Sequence, residues 1–295
     1  MPSKPLARTL CASFALASTL VSAAIVTTPS GVLNGAGSGV SDPFAFDAWM
    51  RMNVRVNSAT GITNAFPRSG DGSAWMTLAD GSGKADWGYY RTGGFGTLAD
   101  LSGASFDWYR ASTSTNPANQ MPAFRIVVDI DGDLVNSTTD IAYLVYEQVY
   151  NEAGGWSAPT DAWQTSAIGG TTNLWVFQPG VGAEEVFNRT LADYQAGTYT
   201  PTMGWSQITG NSRVLGIVIG IGSGWNGAFT GAIDNATLVM GGAAPLTFAT
   251  NFEVSLPPPP VVVAKPVPVG GPEAMAALGL GLALLAWRHR RRIRA

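Results

Sequence analysis

The stretch Phe124-Arg-Ile-Val-Val-Asp-Ile-Asp131 decides the fold class, because its side chains alternate between apolar and polar with a period of two. One face carries Phe124, Ile126, Val128 and Ile130, and the other carries Arg125, Val127, Asp129 and Asp131. A strand with this pattern has one face in a core and one face in water. The stretch therefore predicts a sheet that is buried on one side.

A second strand is predicted from Val214 to Gly222. Its alternation predicts a core face and a face of small residues, with Leu215, Ile217, Ile219 and Ile221 on the first and Gly216, Gly220 and Gly222 on the second. A stripe of glycines lets a neighbouring loop or sheet approach closely, or leaves a shallow groove.

Short runs of this kind recur between Phe44 and Ser255, separated by Gly, Asn and Asp. They predict strands at 50–57, 73–79, 86–91, 104–110, 123–130, 141–150, 173–178, 213–221 and 229–240. Turns are predicted at Asp80–Gly83 and at Asp131-Gly132, whose residues tolerate a positive φ. A helical turn is expected near 184–194. The pattern predicts an all-β fold, a jelly-roll-type β-sandwich over residues 44–255.

The N-terminus predicts export. Lys4 and Arg8 precede an apolar run over residues 10–21, and small residues around Ala23 and Ala24 form a cleavage site. Residues 1–24 are therefore predicted to be a signal peptide, which implies the Sec machinery and signal peptidase as partners. Residues 25–43 are rich in Gly and Ser and are predicted to be a flexible lead or an edge segment.

The C-terminal tail, residues 270–295, predicts a segment that engages a membrane. It consists of Pro272, Glu273, an apolar run that includes Ala274, Leu278 and Leu285, the residue Trp287, and a cluster with Arg288, Arg290, Arg291 and Arg292. Proline and an acidic residue suit a helix N-terminus, and arginines stay on the cytoplasmic side. Sixteen residues give a helix of about 24 Å, short for a membrane core of about 30 Å. Residues 256–269 form a Pro-rich spacer.

This tail resembles the PEP-CTERM sorting signal of Gram-negative bacterial surface proteins in its motif, apolar helix and arginines. The resemblance implies recognition by an exosortase-like membrane protease, a cut near the motif, and delivery to the cell surface or extracellular matrix. The motif reads Pro272-Glu273-Ala274, whereas the family has a second proline. Gly270-Gly271 is also similar to the GlyGly-CTERM type, which a rhomboid-like protease processes. A plain C-terminal membrane anchor is the third alternative.

The predicted sandwich also carries a resemblance, in Ser105–Arg110 and in Gly224–Asn235. These segments resemble jelly-roll cargo domains of PEP-CTERM proteins. The closing Gly-x-Ile-Asp-Asn-x-Thr-Leu resembles the last strand of carbohydrate-binding-like and concanavalin-like sandwiches. The resemblance implies a fold and little about function.

Charge and residue inventory exclude several functions. Residues 24–287 hold ten of the Lys and Arg residues and all 20 of the Asp and Glu residues, so their net charge is 10 − 20 = −10. This balance argues against nucleic acid and anionic membrane surfaces as partners. Cys11 lies in the signal peptide and His289 in the arginine cluster. Catalytic triads and His/Cys metal sites are therefore excluded from the predicted sandwich.

Asp129, Asp131 and Asp133, with Asp140 shortly after, are the candidate metal ligands. Carboxylates that converge on a turn suit Ca²⁺, which takes six to eight oxygen ligands. The alternative is a polar strand end that leads into an Asp-Gly turn. No other cofactor is expected.

Nine tryptophans lie in the predicted sandwich. Trp156 and Trp225 stand in Gly-rich loops and are predicted to be exposed platforms for sugar stacking, whereas Trp87, Trp108 and Trp175 are predicted to lie in the core.

The sequence favours a non-enzymatic, exported structural or adhesive protein. The alternative is a carbohydrate-binding module at the cell surface or in exopolysaccharide. A glycoside hydrolase ranks third, because the two carboxylates on the key strand are aspartates where laminarinase-like enzymes use glutamates.

Overall fold

The computed structural model of the protein describes residues 23–28, 32–33, 47–134, 140–202 and 204–255. The chain divides into the units Met1–Leu256 and Pro257–Ala295, and the second lies wholly outside the described residues. Residues 1–22 of the predicted signal peptide, the spacer and the sorting tail also lie outside them. The tail residues concerned are Pro272, Glu273, Ala274, Leu278, Leu285, Trp287, Arg288, Arg290, Arg291 and Arg292. Within the described ranges, no helix combines the length and the apolar character that a membrane crossing needs.

The described residues form sixteen strands and three short helices. In chain order these are β1 (Ala24–Val26), β2 (Val32–Leu33), β3 (Trp49–Met52), β4 (Ser58–Thr63), β5 (Ser73–Leu78), β6 (Lys84–Tyr90), β7 (Gly96–Thr97), the 3₁₀ helix η1 (Leu98–Asp100), β8 (Leu101–Arg110), β9 (Ala123–Asp129), β10 (Ile141–Tyr146), the 3₁₀ helix η2 (Gln148–Asn151), β11 (Gln164–Ile168), β12 (Asn173–Gln178), β13 (Gly182–Thr190), α1 (Leu191–Ala196), β14 (Arg213–Gly222), β15 (Phe229–Met240) and β16 (Leu246–Phe252).

Two sheets face each other. Among the described strands the larger sheet runs β13-β12-β10-β9-β14-β6-β3-β2, with β7 also paired to β14. The smaller sheet is built on β15, which pairs with β8 on one side and with β5 and β16 on the other; β11, β4 and β1 lie at its edges. The chain passes repeatedly from one sheet to the other, as in a jelly roll. This arrangement confirms the predicted all-β sandwich.

The core between the sheets is formed by alternate side chains of both. Phe124, Ile126 and Val128 of β9 are all 0% exposed and face this core, as their alternation predicted. Trp87 and Trp108 are also core residues, at 0% and 2% exposure. Tight packing of large side chains from both layers lets a chain without disulfides in this region hold its fold.

The predicted alternation of β14 is correct except at Leu215. Ile217, Ile219 and Ile221 face the core, but Leu215 packs in an apolar cluster on the opposite face of the sheet. The pairing of β14 with β9 shifts register between Val214 and Gly216. A bulge of this kind turns the following residues to the other face, which alternation alone does not reveal.

Several boundaries differ from the prediction. The predicted strand 50–57 is β3 followed by a turn, because Asn53 and Asn57 adopt positive φ values of 52° and 65°. Strands β4, β7, β11, β13 and β16 were not predicted. The turn expected near 184–194 is instead β13 followed by α1, which begins at a capping box of Thr190 and Asp193. Val26 and Val32–Leu33 of the expected flexible lead lie in edge strands that pair in parallel with β16 and β3.

The end of β16 is fastened to the segment 69–72 by a set of hydrogen bonds, which we call the C-terminal latch. The Glu253 carboxylate accepts bonds from the backbone N–H groups of Asp71 and Gly72, at 2.6 and 2.9 Å. In return, the Asp71 carboxylate accepts from the N–H groups of Val254 and Ser255, at 2.9 and 3.3 Å. The latch therefore holds the chain at the point where the predicted spacer begins.

Candidate functional site

The candidate site lies on the face of the larger sheet that is turned away from the smaller one, the outer face. On β9 this face carries Arg125, Val127 and Asp129, as the alternation predicted. It is not solvated, however, because Val127 is 0% and Asp129 1% exposed. Val127 packs in an apolar cluster with Met50, Met52, Tyr90, Ile141, Leu215 and Val218. The prediction of a wet face is therefore wrong here, since side chains of the neighbouring strands cover it.

Five aromatic side chains form a patch at one end of the outer face, and we call Tyr143, Tyr150, Trp175, Phe177 and Phe187 the aromatic patch. Tyr143 of β10 lies opposite Phe177 of β12, with ring centroids 6.1 Å apart. Phe187 of β13 stacks on Tyr150 at 3.9 Å and meets Trp175 edge-on at 6.3 Å. Each ring keeps some exposure, and Phe177 is 38% exposed. The patch is therefore partly open to solvent.

A carboxylate borders the aromatic patch. Trp175 Nε1 donates a hydrogen bond to Glu147 Oε2 at 3.2 Å. Burial raises the pKa of Glu147, while the charge of Arg125 and the bond from Trp175 act in the opposite direction. Trp175 was predicted to lie in the core, and the structure corrects this: it is a strand residue, but on the outer face. The indole is thus oriented by an acidic group that is itself held by charge.

Arg125 is held in turn by a buried ion cluster. Its Nη1 lies 3.0 Å from Asp86 Oδ1, and Lys84 Nζ lies 3.4 Å from Asp86 Oδ2. Asn53 Nδ2 donates to the same carboxylate at 2.7 Å. Burial lowers the pKa of Lys84, and the charge of Asp86 opposes this shift. Asp86 is only 1% exposed, so removing its charge from water costs free energy. The bonds from Arg125, Lys84 and Asn53 offset that cost.

The absence of a side chain at Gly220 leaves room for the Asp86 carboxylate. A Cβ atom built at Gly220 would overlap Asp86 Oδ1, and its next neighbour would be the carbonyl oxygen of Ala85. Gly220 pairs with Asp86 across the β14–β6 ladder. At this position the glycine stripe therefore makes room for a side chain of the adjacent strand, not for a loop or a second sheet.

The predicted metal ligands converge, and Asp140 joins them. One carboxylate oxygen from each of Asp129, Asp131, Asp133 and Asp140 lies within 4.8 Å of the others. Asp129 accepts bonds from the N–H groups of Gly132 and Leu134, at 3.2 and 2.9 Å. Burial, followed by the charges of Asp129 and Asp131, raises the pKa of Asp140 to about 6. This acidic cluster has the donor atoms and the charge to hold a cation.

Of the two tryptophans predicted to be exposed platforms, Trp225 is buried and Trp156 is partly exposed. Trp225 is only 7% exposed and packs edge-on against Phe229, with centroids 5.4 Å apart. Trp156 is half-buried and meets the core residue Trp108 at 6.4 Å. The expectation of an open platform is therefore wrong for Trp225, whereas Trp156 keeps a partly exposed ring that packs against the core.

Comparison with known proteins gives distant likenesses. No family model matches the chain, and no curated protein matches it significantly. Among solved structures it is similar to a family 11 carbohydrate-binding module from Clostridium thermocellum in complex with a β-1,3-1,4-mixed-linked tetrasaccharide, at 12% identity and a TM-score of 0.36, over 68% of this chain and 94% of that chain. It is also similar to an endo-β-1,4-glucuronan lyase from Trichoderma reesei, at 9% identity and a TM-score of 0.36, over 70% of this chain and 94% of that chain. TM-scores this low assign neither a ligand nor an activity.

Sequence reasoning missed the aromatic patch. Trp175 and Phe177 are two residues apart on one strand and therefore share a face, which was a usable signal. Their meeting with Tyr150 and Phe187 depends on which strands pair, and the sequence does not state that pairing.

A substitution of Gly220 tests how the ion cluster is built. Gly220→Ala is expected to destabilise the protein by about 2–4 kcal/mol, because the added methyl group displaces Asp86 from Arg125. Gly154→Ala is the matched control, since a Cβ atom there meets nothing within 4 Å, and it should change stability by less than about 0.5 kcal/mol. Urea unfolding of both variants measures the difference, and equal stabilities would contradict the assigned contact.

Proposed function

We propose that the protein binds a neutral polysaccharide at the cell surface or in the extracellular matrix and does not cleave it. The aromatic patch carries this proposal. Sugar rings present C–H faces that pack on aromatic rings, and their hydroxyl groups hydrogen-bond to polar groups beside those rings. The partly exposed ring of Phe177 and the indole of Trp175, with Glu147 beside it, offer this combination.

The charge of the chain favours a neutral glycan. Residues 24–287 carry a net charge of 10 − 20 = −10, so a polyanionic polysaccharide would be repelled at long range. The positive charge next to the patch is that of Arg125, which is already paired with Asp86 at 3.0 Å. It therefore does not attract an anionic ligand. Carboxylate and amide groups that accept and donate hydrogen bonds suit hydroxyl-rich ligands.

The proposal includes export and sorting. The signal peptide would be removed near Ala23 or Ala24, and the tail would be cut near Pro272 by an exosortase-like protease. Cleavage after Ala23 is compatible with the fold, because β1 begins at Ala24. A cut near Pro272 is also compatible, because the last described strand ends at Phe252.

A second proposed function is calcium binding at the acidic cluster, and the convergence of four carboxylates favours it. The groups that raise the pKa of Asp140, apart from burial, are the negative charges of Asp129, Asp131 and Asp133. A divalent cation would relieve this repulsion, and an exported domain meets calcium at the concentrations that weak sites need.

The polysaccharide proposal predicts that Trp175→Ala weakens binding. Purified full-length protein is titrated calorimetrically with cellohexaose, laminarihexaose and maltohexaose. For any glycan that binds, the variant should lose at least about tenfold in affinity, or roughly 1.4 kcal/mol.

Trp163→Ala is the control for that experiment. Trp163 is also partly exposed and contacts Tyr109 of the smaller sheet, with centroids 5.7 Å apart. Its loss should leave affinity unchanged. Equal binding by wild type and Trp175→Ala would remove the patch from the site, and release of new reducing ends during incubation would contradict binding without cleavage.

The calcium proposal predicts a melting temperature that depends on calcium and pH. At 100 times the dissociation constant, calcium stabilises by about 2.7 kcal/mol, or roughly 5–10 °C. The shift should shrink at pH 5, because Asp140, with a pKa of about 6, is then protonated.

The variant Asp140→Asn separates the effect of calcium on the melting temperature from the effect of pH. A raised carboxyl pKa stabilises the fold at low pH, and this contribution disappears as the pH rises through about 6. The variant should therefore melt higher than wild type at pH 7 without calcium and should lose the calcium shift, whereas Glu185→Gln at an exposed site should retain it. A calcium shift that survives in Asp140→Asn would count against the site.

The sorting proposal predicts two cuts. Intact mass spectrometry of protein from the outer surface of an exosortase-bearing host should show a chain without residues 1–24 and without the segment after about residue 272. Glu273→Ala should keep the longer form in the inner membrane. Stable full-length wild-type protein in that membrane would overturn the sorting proposal and leave a plain anchor.

A further inference from the structure

A polar pocket lies next to the aromatic patch. It has a volume of about 300 Å³ and is lined by residues that include Tyr146, Gln148, Asn151, Ser166, Thr171 and Thr172. They come from the end of β10, from η2, from β11 and from the turn before β12. The pocket therefore opens where β11, at the edge of the smaller sheet, meets the larger sheet.

The chemistry of the pocket suits an uncharged ligand with many hydroxyl groups. All the described side chains that line it are neutral, and most end in a hydroxyl or a carboxamide. Such groups both donate and accept hydrogen bonds. A volume near the lower end of the range for small-molecule pockets, roughly 300–1,000 Å³, has room for a short piece of a glycan.

The walls of the pocket are held in place before any ligand arrives. Gln148 Oε1 accepts bonds from Ser166 Oγ, at 2.8 Å, and from the Tyr146 hydroxyl. Ser166 Oγ in turn accepts from the core indole of Trp108 at 2.8 Å. Asn151 Nδ2 donates to the carbonyl oxygens of Glu147 and Asn173. A pocket organised in this way loses little conformational entropy on binding.

The helix η2 joins the pocket to the aromatic patch. Its residues Gln148 and Asn151 line the pocket, whereas Tyr150 and the preceding Glu147 belong to the patch side. In a 3₁₀ helix, residues three apart share a face, so Gln148 and Asn151 lie on one face and Tyr150 on another, while Glu147 precedes the helix in an extended conformation. The single turn η2 therefore presents the ring of Tyr150 to the aromatic patch and the carboxamides of Gln148 and Asn151 to the pocket.

We propose that this pocket is a chain-end subsite, which receives the terminal neutral sugar residue of the polysaccharide whose body packs on the aromatic patch. The inference rests on the proposed function, because it takes the same glycan as ligand. It adds that short oligosaccharides and chain ends are preferred to the interior of a long chain.

Filling the pocket tests the inference. Thr171 lines the pocket and is exposed, so Thr171→Trp and Thr171→Tyr should block it without disturbing the core. Each variant should lose at least about tenfold in affinity for the hexaose that wild type binds. Thr171→Ser, which keeps the hydroxyl, should bind as wild type does, and circular dichroism should show that all variants are folded.

A second measurement uses the matching insoluble glucan before and after partial acid hydrolysis, which raises the number of chain ends per gram. Wild type should bind more protein per gram after hydrolysis, and Thr171→Trp should not. If Trp175→Ala loses binding while both pocket-filling variants keep wild-type affinity, the chain-end subsite is wrong and the proposed function stands. If wild type binds none of the hexaoses or glucans, both proposals fall.

Discussion

The ion pair of Asp86 and Arg125, seated beside Gly220, is the contact on which the outer face of the larger sheet depends. Both groups lie next to an apolar cluster, where an unpaired charge would be strongly destabilising. Because Gly220 has no side chain, the Asp86 carboxylate can lie against β14. There Arg125 Nη1 is 3.0 Å from Asp86 Oδ1. The charge of Arg125 then acts on Glu147, which accepts the bond from Trp175. Gly220, three strands away, therefore contributes to the electrostatic surroundings of the carboxylate that binds this indole.

The same strand, β9, carries two different electrostatic environments. Arg125 and Asp129 share a face and lie about 13 Å apart along the strand, which is too far for a direct ion pair. Arg125 is already matched by Asp86 and Glu147, so it adds little positive potential at the far end. There, Asp140 meets further carboxylates. A cation at that end and a glycan at the other would therefore be bound nearly independently.

The sequence was sufficient where local pattern determines structure. Alternation placed Phe124 and Ile126 in the core, and the Asp131-Gly132 turn followed from residues that accept a positive φ. The sequence was insufficient where one residue breaks the pattern, as at the bulge that turns Leu215 outward. It was also insufficient where strand pairing brings distant segments together, since the aromatic patch uses β10, η2, β12 and β13. Trp225 shows a third limit, because a flexible loop does not reveal whether its aromatic side chain turns outward or packs on Phe229.

The C-terminal latch is the first part of the fold that would bear load under the proposed tethering through the C-terminus. A pull on a spacer that begins at residue 256 acts first on Ser255, and the latch lies between Ser255 and β16. Its two carboxylates accept hydrogen bonds from each other's segments. Glu253 accepts from the N–H groups of Asp71 and Gly72, and Asp71 accepts from those of Val254 and Ser255. Neither segment can leave without breaking the bonds of both. The latch belongs to the smaller sheet, whereas the aromatic patch lies on the larger one. Under the proposed function, force between the glycan and the tether would therefore cross the packed core, to which Trp87 of the larger sheet and Trp108 of the smaller sheet both belong.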